Sequence, residues 1–238
     1  MSFLNFKRQS NPYGLQFQGL GFPTLMFIFA IFLEYSGIDL WLERHFYDAQ
    51  AGWIYKNHWL LENVFHRGGK YLMIMVGVVL LMALIASLKR IEYIEWRRPL
   101  LAAVVGALSG ILWVSILKKV SHIYSPWDLM IFNGNMPYLR MLDSTPLGIK
   151  AGNAFPAGHA SGGFALFCLY FLSKTMPFAK PWLMAFAALT VGFTFGLAQQ
   201  MRGAHFLSHD LVALAICWTA NYVSFSLISP WKIFEEPC

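Results

Sequence analysis

The chain has 238 residues, of which 57% are hydrophobic and only 13% are charged, and its mean hydropathy is +0.50. Soluble domains usually carry about 25% charged residues, so this composition excludes an ordinary soluble protein and indicates an integral membrane protein. The net charge of +6 requires no nucleic acid partner, because cationic loops beside anionic lipid account for it.

Six apolar segments are long enough to cross a bilayer, which takes about 20 residues each. In chain order they are roughly 20 to 38, 71 to 88, 99 to 117, 160 to 176, 181 to 199 and 209 to 228. The fourth is marginal in length, and its one charge, Lys174, lies at an end from which it can reach the headgroups. We therefore predict an all-α integral membrane protein, with six transmembrane helices forming a bundle as a single domain over residues 1–238.

The positive charges of the short connections predict the orientation. One connection and the flanking segments on the same side hold Lys89, Arg90, Arg97, Arg98, Lys7, Arg8, Lys174, Lys180 and Lys232. Because cytoplasmic loops are rich in Lys and Arg, both termini are expected in the cytoplasm. The connections at about 39 to 70, 118 to 159 and 200 to 208 then face outward.

A turn rich in glycine and proline, within residues 153–163, leads into span four and places His159 in its first helical turn. The backbone N–H groups at the amino end of a helix suit an oxyanion such as phosphate, and Gly158 allows close approach to them. This turn is therefore a candidate anion-binding site.

A second polar group begins span six on the same side. On a helix, Arg202, His205 and His209 share a face, because offsets of three and four residues bring side chains together, and Asp210 is adjacent. Ionisable groups cost up to about 2.5 to 3.5 kcal/mol each at the bilayer centre, so such a group at a membrane edge indicates a function. Lys118, at the outer end of span three, supplies a further cation.

These groups together resemble the type 2 phosphatidic acid phosphatase (PAP2) family, whose motifs are Lys-x6-Arg-Pro, Pro-Ser-Gly-His and Arg-x5-His-x3-Asp. Lys118 begins the first motif, and Ser125 stands before Pro126 where the family has arginine. The second motif is Pro156-Ala157-Gly158-His159, in which Ala157 replaces serine. The likeness in motifs covers the chain from Lys118 to Asp210.

The third motif departs furthest from the family. The stretch Gly203-Ala204-His205-Phe206 sets His205 at the position of the nucleophile. Gln199 then stands where arginine is expected, and His209 stands where aspartate is expected. Arg202 lies one turn from Gln199 on the same face, and we expect it to supply one of the missing guanidinium groups.

The resemblance implies a membrane lipid phosphatase or phosphotransferase that works through a phosphohistidine. His205 attacks phosphorus, His159 protonates the leaving oxygen, and Lys118, Arg202 and the backbone near Gly158 bind the phosphate. His205 must then be unprotonated and His159 protonated, which predicts a bell-shaped pH profile. The scheme needs no cofactor and no metal.

The other expected site residues follow from the motif positions. Ala157, Ser125 and Gln199 line the phosphate, and His209 belongs to the catalytic group. Either Asp128 or Asp210 is expected to orient His205 in place of the missing acid.

The resemblance also implies a bacterial inner membrane and an active site at its periplasmic face. Candidate substrates are lipid A, undecaprenyl pyrophosphate, phosphatidylglycerol phosphate and phosphatidic acid. Whether water or a second lipid accepts the phosphoryl group stays open.

Two alternatives remain at this point. His159, His205 and His209 with Asp210 or water match the ligands of a zinc site. Alternatively, the lost arginines leave a non-catalytic protein with the same fold that binds or carries an anionic lipid. The remaining histidines are interpreted as interfacial or loop residues, with His122 expected nearest the pocket: His45, His58, His66 and His122.

Overall fold

The structure of the protein is a computed structural model, and it describes residues 17–176 and 179–229, which are predominantly helical. Lys7, Arg8 and Lys232, on which part of the predicted orientation rests, lie outside the described residues.

Helices account for most of the described chain. The α-helices are α1 (Phe22–Tyr35), α2 (Ile38–Glu43), α3 (Gly69–Lys89), α4 (Arg97–Val120), α5 (Gly158–Phe164), α6 (Phe167–Ser173), α7 (Pro181–Gln200) and α8 (Leu207–Ile228). π-Helical stretches at Phe17–Gly21 and Leu60–Gly68 run directly into α1 and α3. Short 3-10 turns are Ile91–Trp96, Pro126–Asp128 and Met130–Phe132, and β1 (Tyr47–Asp48) pairs antiparallel with β2 (Gly52–Trp53).

Four helical segments are long and apolar enough to cross a membrane: Leu60–Lys89, Ile91–Val120, Pro181–Gln200 and Leu207–Ile228. A shorter apolar helix covers Gly19–Tyr35. Large apolar side chains cover the outside of these helices, among them Val79 and Met82 of α3. An exposed apolar surface of this extent fits contact with lipid, so the prediction of an all-α membrane protein is confirmed.

The fourth predicted span is different in the structure. Residues 160–176 do not form one helix but contribute to two seven-residue helices, α5 and α6, with a turn at Ala165 and Leu166 between them. Gly162 and Gly163 lower the helix propensity just before this turn. Gly163 also packs directly on the backbone of Gly192 in α7. The short helix α5 is therefore held by close packing against α7.

Helix α8 lies at the centre of the bundle and is the most buried of the four long segments. It packs most extensively on α4 and next on α1. Gly106 and Gly110 of α4 let the two backbones approach at Asn221 and Cys217. This packing brings the carboxyl ends of α4 and α7 and the amino ends of α5 and α8 to one end of the bundle.

Candidate active site

Backbone hydrogen bonds join the connections at this end of the bundle. The Trp127 amide donates to the Gly203 carbonyl at 2.9 Å, and the Ala157 amide donates to the His209 carbonyl at 3.2 Å. The first, second and third motifs are therefore held together, although they lie far apart in the sequence.

Lys118 lies directly over the second motif. A Cβ atom added to Gly158 would lie 3.7 Å from Lys118 Nζ, so the glycine leaves the ammonium group in contact with the start of α5. Lys118 is half-buried and is close enough to both His159 and His205 to act on them electrostatically. The structure thus places Lys118 near both His159 and His205, as the sequence predicted.

His205 lies in the connection before α8 and is buried, with 4% of its surface exposed. Burial lowers the pKa of His205 well below its ordinary range, and the positive charge of Lys118 adds to the shift. The imidazole is therefore neutral at neutral pH, as a nucleophile must be. Its Nδ1 is fully buried and has no hydrogen-bond partner among the described residues.

His159 stacks on a second histidine, His66. The ring of His66, from the π-helical stretch before α3, lies 3.8 Å from that of His159, centroid to centroid, with 21° between the planes. His66, interpreted from the sequence as a loop or interfacial residue, therefore lies in a helical stretch and against His159. Lys70, one turn further on, is also close enough to His159 to act on it.

Gln199 and Arg202 lie next to His66. Gln199 is 3% exposed, and its Nε2 lies 3.1 Å from Nδ1 of His66. Arg202 Nη1 donates to Gln199 Oε1 at 3.5 Å, and its Nε donates to the Lys56 carbonyl at 2.9 Å. The positive charge of Arg202 acts on both His66 and His159. Arg202 therefore lies near the two histidines, where the sequence predicted that it supplies a missing guanidinium group.

Neither of the two acids expected to orient His205 does so by a hydrogen bond in the described structure. Asp210 Oδ2 accepts from Gln200 Nε2 at 2.5 Å, and Asp128 Oδ2 accepts from Trp127 Nε1 at 3.1 Å. Asp210 faces α7 because it follows His209 by one residue on α8, and a shift of one residue turns a side chain to another face. The predicted direct role of both carboxylates is therefore corrected.

His209 lies beside His205 in a fully buried, largely aromatic environment. The two ring centroids are 5.9 Å apart, and the rings of Phe155 and Phe206 lie 5.2 and 5.3 Å from His209. The Ala154 carbonyl is close to both histidine rings. His209, at the position where the family pattern has aspartate, thus places a ring beside that of His205.

A layer of buried acids lies next to these histidines. Asp39 Oδ1, from α2, accepts the Ser208 amide at 3.2 Å and so caps the first turn of α8. Burial raises the pKa of Asp39 to about 6. Burial also raises the pKa of Glu43 well above its ordinary range, with the charges of Asp39 and Asp210 adding to the effect. Sequence reasoning missed this layer.

Other expected residues have structural partners. Ser125 is buried and its carbonyl accepts the Asp128 amide, while Ala157 is fully buried with its amide bonded to the His209 carbonyl. The amides of Gly158 and His159, at the start of α5, have no acceptor within the helix. The motif pattern therefore predicts the position of Ala157, but the expectation that Ala157 binds phosphate is corrected, because its amide donates to the His209 carbonyl.

His122, expected nearest the pocket, lines a different cavity. It borders a groove of about 1050 Å³ between α1, α4 and α8, together with Arg140 and Phe155. In the described ranges, no three His, Cys, Asp or Glu side chains group so as to hold a metal ion, so the zinc alternative gains no support there.

Residues 98–232, more than half of the chain, match the PAP2 superfamily. The chain belongs to the PAP2 superfamily. The matched region of this PAP2 protein contains all three motifs but excludes His66, Lys70 and the acids of α2. The chain is also 25% identical over 228 residues to a lipid A 4'-phosphatase of Francisella tularensis subsp. novicida (strain U112), covering 90% of this chain and 93% of the relative. No solved structure matches the chain.

Proposed function

We propose that this PAP2 protein is a membrane lipid phosphatase that removes a phosphate monoester or pyrophosphate group from an envelope lipid. The carrying observation is that His205, His159 and Lys118, from three separate motifs, meet at one end of the helical bundle. Superfamily membership and the relative with lipid A 4'-phosphatase as its name support the same class of activity.

Lipid A is the first candidate substrate, because the relative named lipid A 4'-phosphatase aligns with this chain over 93% of its own length. Undecaprenyl pyrophosphate and phosphatidylglycerol phosphate are the other candidates. The proposed location is a bacterial inner membrane, with six spans in one domain, the site at the periplasmic face and both termini in the cytoplasm. The positive charges of Arg97 and Arg98, which begin α4 at the opposite end from Lys118, support this orientation.

The first step forms a phosphohistidine. Lys118 and Arg202 hold the phosphoryl oxygens, and positioning with charge stabilisation supplies most of the catalysis. Nε2 of neutral His205 attacks phosphorus, since Nδ1 is fully buried. The P–O bond to the lipid breaks as the N–P bond forms. Burial and the surrounding cations lower the pKa of His159 to about 4, and the negative charge of a bound phosphate raises that pKa again, so that His159 takes up a proton with the substrate and donates it to the departing oxygen.

The second step regenerates the enzyme. A water molecule attacks the phosphohistidine, neutral His159 takes the proton of that water, and the N–P bond breaks to release inorganic phosphate. A second lipid in place of water would make the protein a phosphotransferase. Because His159 returns to its protonated form, both steps use the same two imidazoles.

The experiment measures phosphate release by purified protein from lipid A, short-chain phosphatidic acid and undecaprenyl pyrophosphate. His205→Ala is expected to abolish release from the preferred substrate. The matched control is His45→Ala, since His45 is exposed and lies outside the site, and this variant is expected to keep full activity. Unchanged turnover in His205→Ala would refute the proposed nucleophile.

A second candidate function is non-catalytic binding or carriage of an anionic lipid. It is favoured by one observation, that His205 Nδ1 has no acid bonded to it in the described structure. Binding of lipid phosphate without release of phosphate from any of the three substrates would establish this alternative.

A further inference from the structure

Gln199, at the position of the missing arginine, is bonded to both His66 and Arg202. Gln199 stands where the PAP2 pattern has arginine, and its side chain is held at both ends. Arg202 offers only donors, so the Gln199 atom facing it at 3.5 Å is the carbonyl oxygen. The amide nitrogen of Gln199 therefore faces His66.

This arrangement fixes the proton on His66. The Gln199 amide nitrogen is a donor, so Nδ1 of His66, 3.1 Å away, is the acceptor. A neutral imidazole with an acceptor at Nδ1 carries its proton at Nε2. His66 thus presents an N–H donor on the side of the ring away from Gln199.

The stacking geometry brings this donor to the site. The rings of His66 and His159 are 3.8 Å apart and nearly parallel, so a ligand at the edge of one ring is within reach of the other. Lys118, Arg202 and Lys70 are the cations that act on His159. The Nε2–H of His66 therefore lies beside the ring of His159, in the region to which these cations attract an anion.

We infer that His66 is a phosphate-binding residue, whose Nε2–H donates to a phosphoryl oxygen beside His159 and takes the place of the arginine absent at position 199. The inference rests on the proposed function, since the ligand is the phosphate of that same site. His66 lies outside residues 98–232, so superfamily membership does not assign it.

The test compares variants that separate the donor from the ring stack. His66→Phe keeps a planar ring against His159 and removes the donor, whereas His66→Gln keeps a donor. Equilibrium binding of inorganic phosphate is measured on the inactive His205→Ala background, so the result does not depend on turnover. We expect phosphate to bind at least tenfold more weakly in His66→Phe and within about threefold of the parent in His66→Gln. The control is His122→Phe, at the separate groove, with unchanged binding expected.

A second measurement needs no variant at position 66. Nitrogen-15 resonances of histidine are followed while phosphate is added, and Nε2 of His66 is expected to shift while its Nδ1 stays that of an acceptor. Unchanged phosphate binding in His66→Phe, or an unmoved Nε2 resonance, overturns the inference. Loss of the proposed function would instead appear as normal turnover in His205→Ala, whatever the phosphate affinity of the His66 variants.

Discussion

Restoring the family arginine by Gln199→Arg is expected to impair this protein. The new guanidinium would lie near Arg202, whose Nη1 is now 3.5 Å from Gln199 Oε1. Two unit charges 4 Å apart repel by about 4 kcal/mol at an effective dielectric constant of about 20, and we take about 2 kcal/mol because Arg202 is half exposed. The hydrogen bond to His66 is lost as well, which costs about 1 kcal/mol. The sum of about 3 kcal/mol corresponds to about a hundredfold loss in kcat/KM.

The assay is phosphate release from the preferred lipid, with kcat and KM measured separately. Gln199→Met is the matched control, because it keeps the length of the side chain without the amide or a charge. It loses the hydrogen bond to His66 and the long 3.5 Å contact with Arg202 but adds no charge, so about a fivefold decrease is expected. If Gln199→Arg were as active as the parent or more active, then Gln199 would be a degraded arginine position, and the reasoning about His66 as its partner would be refuted.

Three further predictions follow from the site. Burial and Lys118 lower the pKa of His205, so its imidazole stays neutral in mild acid. The acid limb of the kcat/KM profile is therefore expected below the ordinary histidine pKa of about 6.5. An acid limb at about 6.5 or above contradicts the assignment of His205 as the nucleophile. The pKa of Asp39 is raised from 3.8 to about 6, so its contribution to stability is present below pH 4 and is lost as pH rises through 6. Asp39→Asn keeps the Oδ1 acceptor and cannot ionise, so it is expected to stabilise the protein by up to about 3 kcal/mol at pH 8 and by less at pH 5. The measurement is thermal unfolding in detergent. Equal stabilisation at the two pH values argues against an ionised Asp39. Gly203→Ala is expected to lower stability by at least about 1 kcal/mol, because φ is +76° and the added methyl group meets the Trp53 ring, and an unchanged unfolding temperature would show that this loop is not constrained.

The sequence predicted those features that depend on short-range pattern. Apolar length identified the long helices, and the resemblance to the PAP2 motifs predicted Lys118, His159 and His205 as neighbours. Each of these signals survives without knowledge of the tertiary contacts. The helix at 160–176 was mispredicted for a local reason, since hydropathy records apolar length but not the break that follows Gly162 and Gly163.

The residues that sequence reasoning missed depend on contacts across the bundle. His66 lies 133 residues before Gln199, and no spacing rule links the two. Asp39 is similarly remote from Ser208, which it caps from 169 residues away. A signal for His66 did exist, because it and Lys70 share one face of a helical segment at an offset of four residues.

The cap that Asp39 forms on α8 bears on which part of the chain is a working unit. A fragment starting at residue 98 would keep every motif of the superfamily match. It would also leave the first turn of α8 without its carboxylate acceptor and His159 without its stacking partner. The segment before residue 98 therefore contributes to the candidate site through His66 and Asp39, in addition to supplying apolar helices.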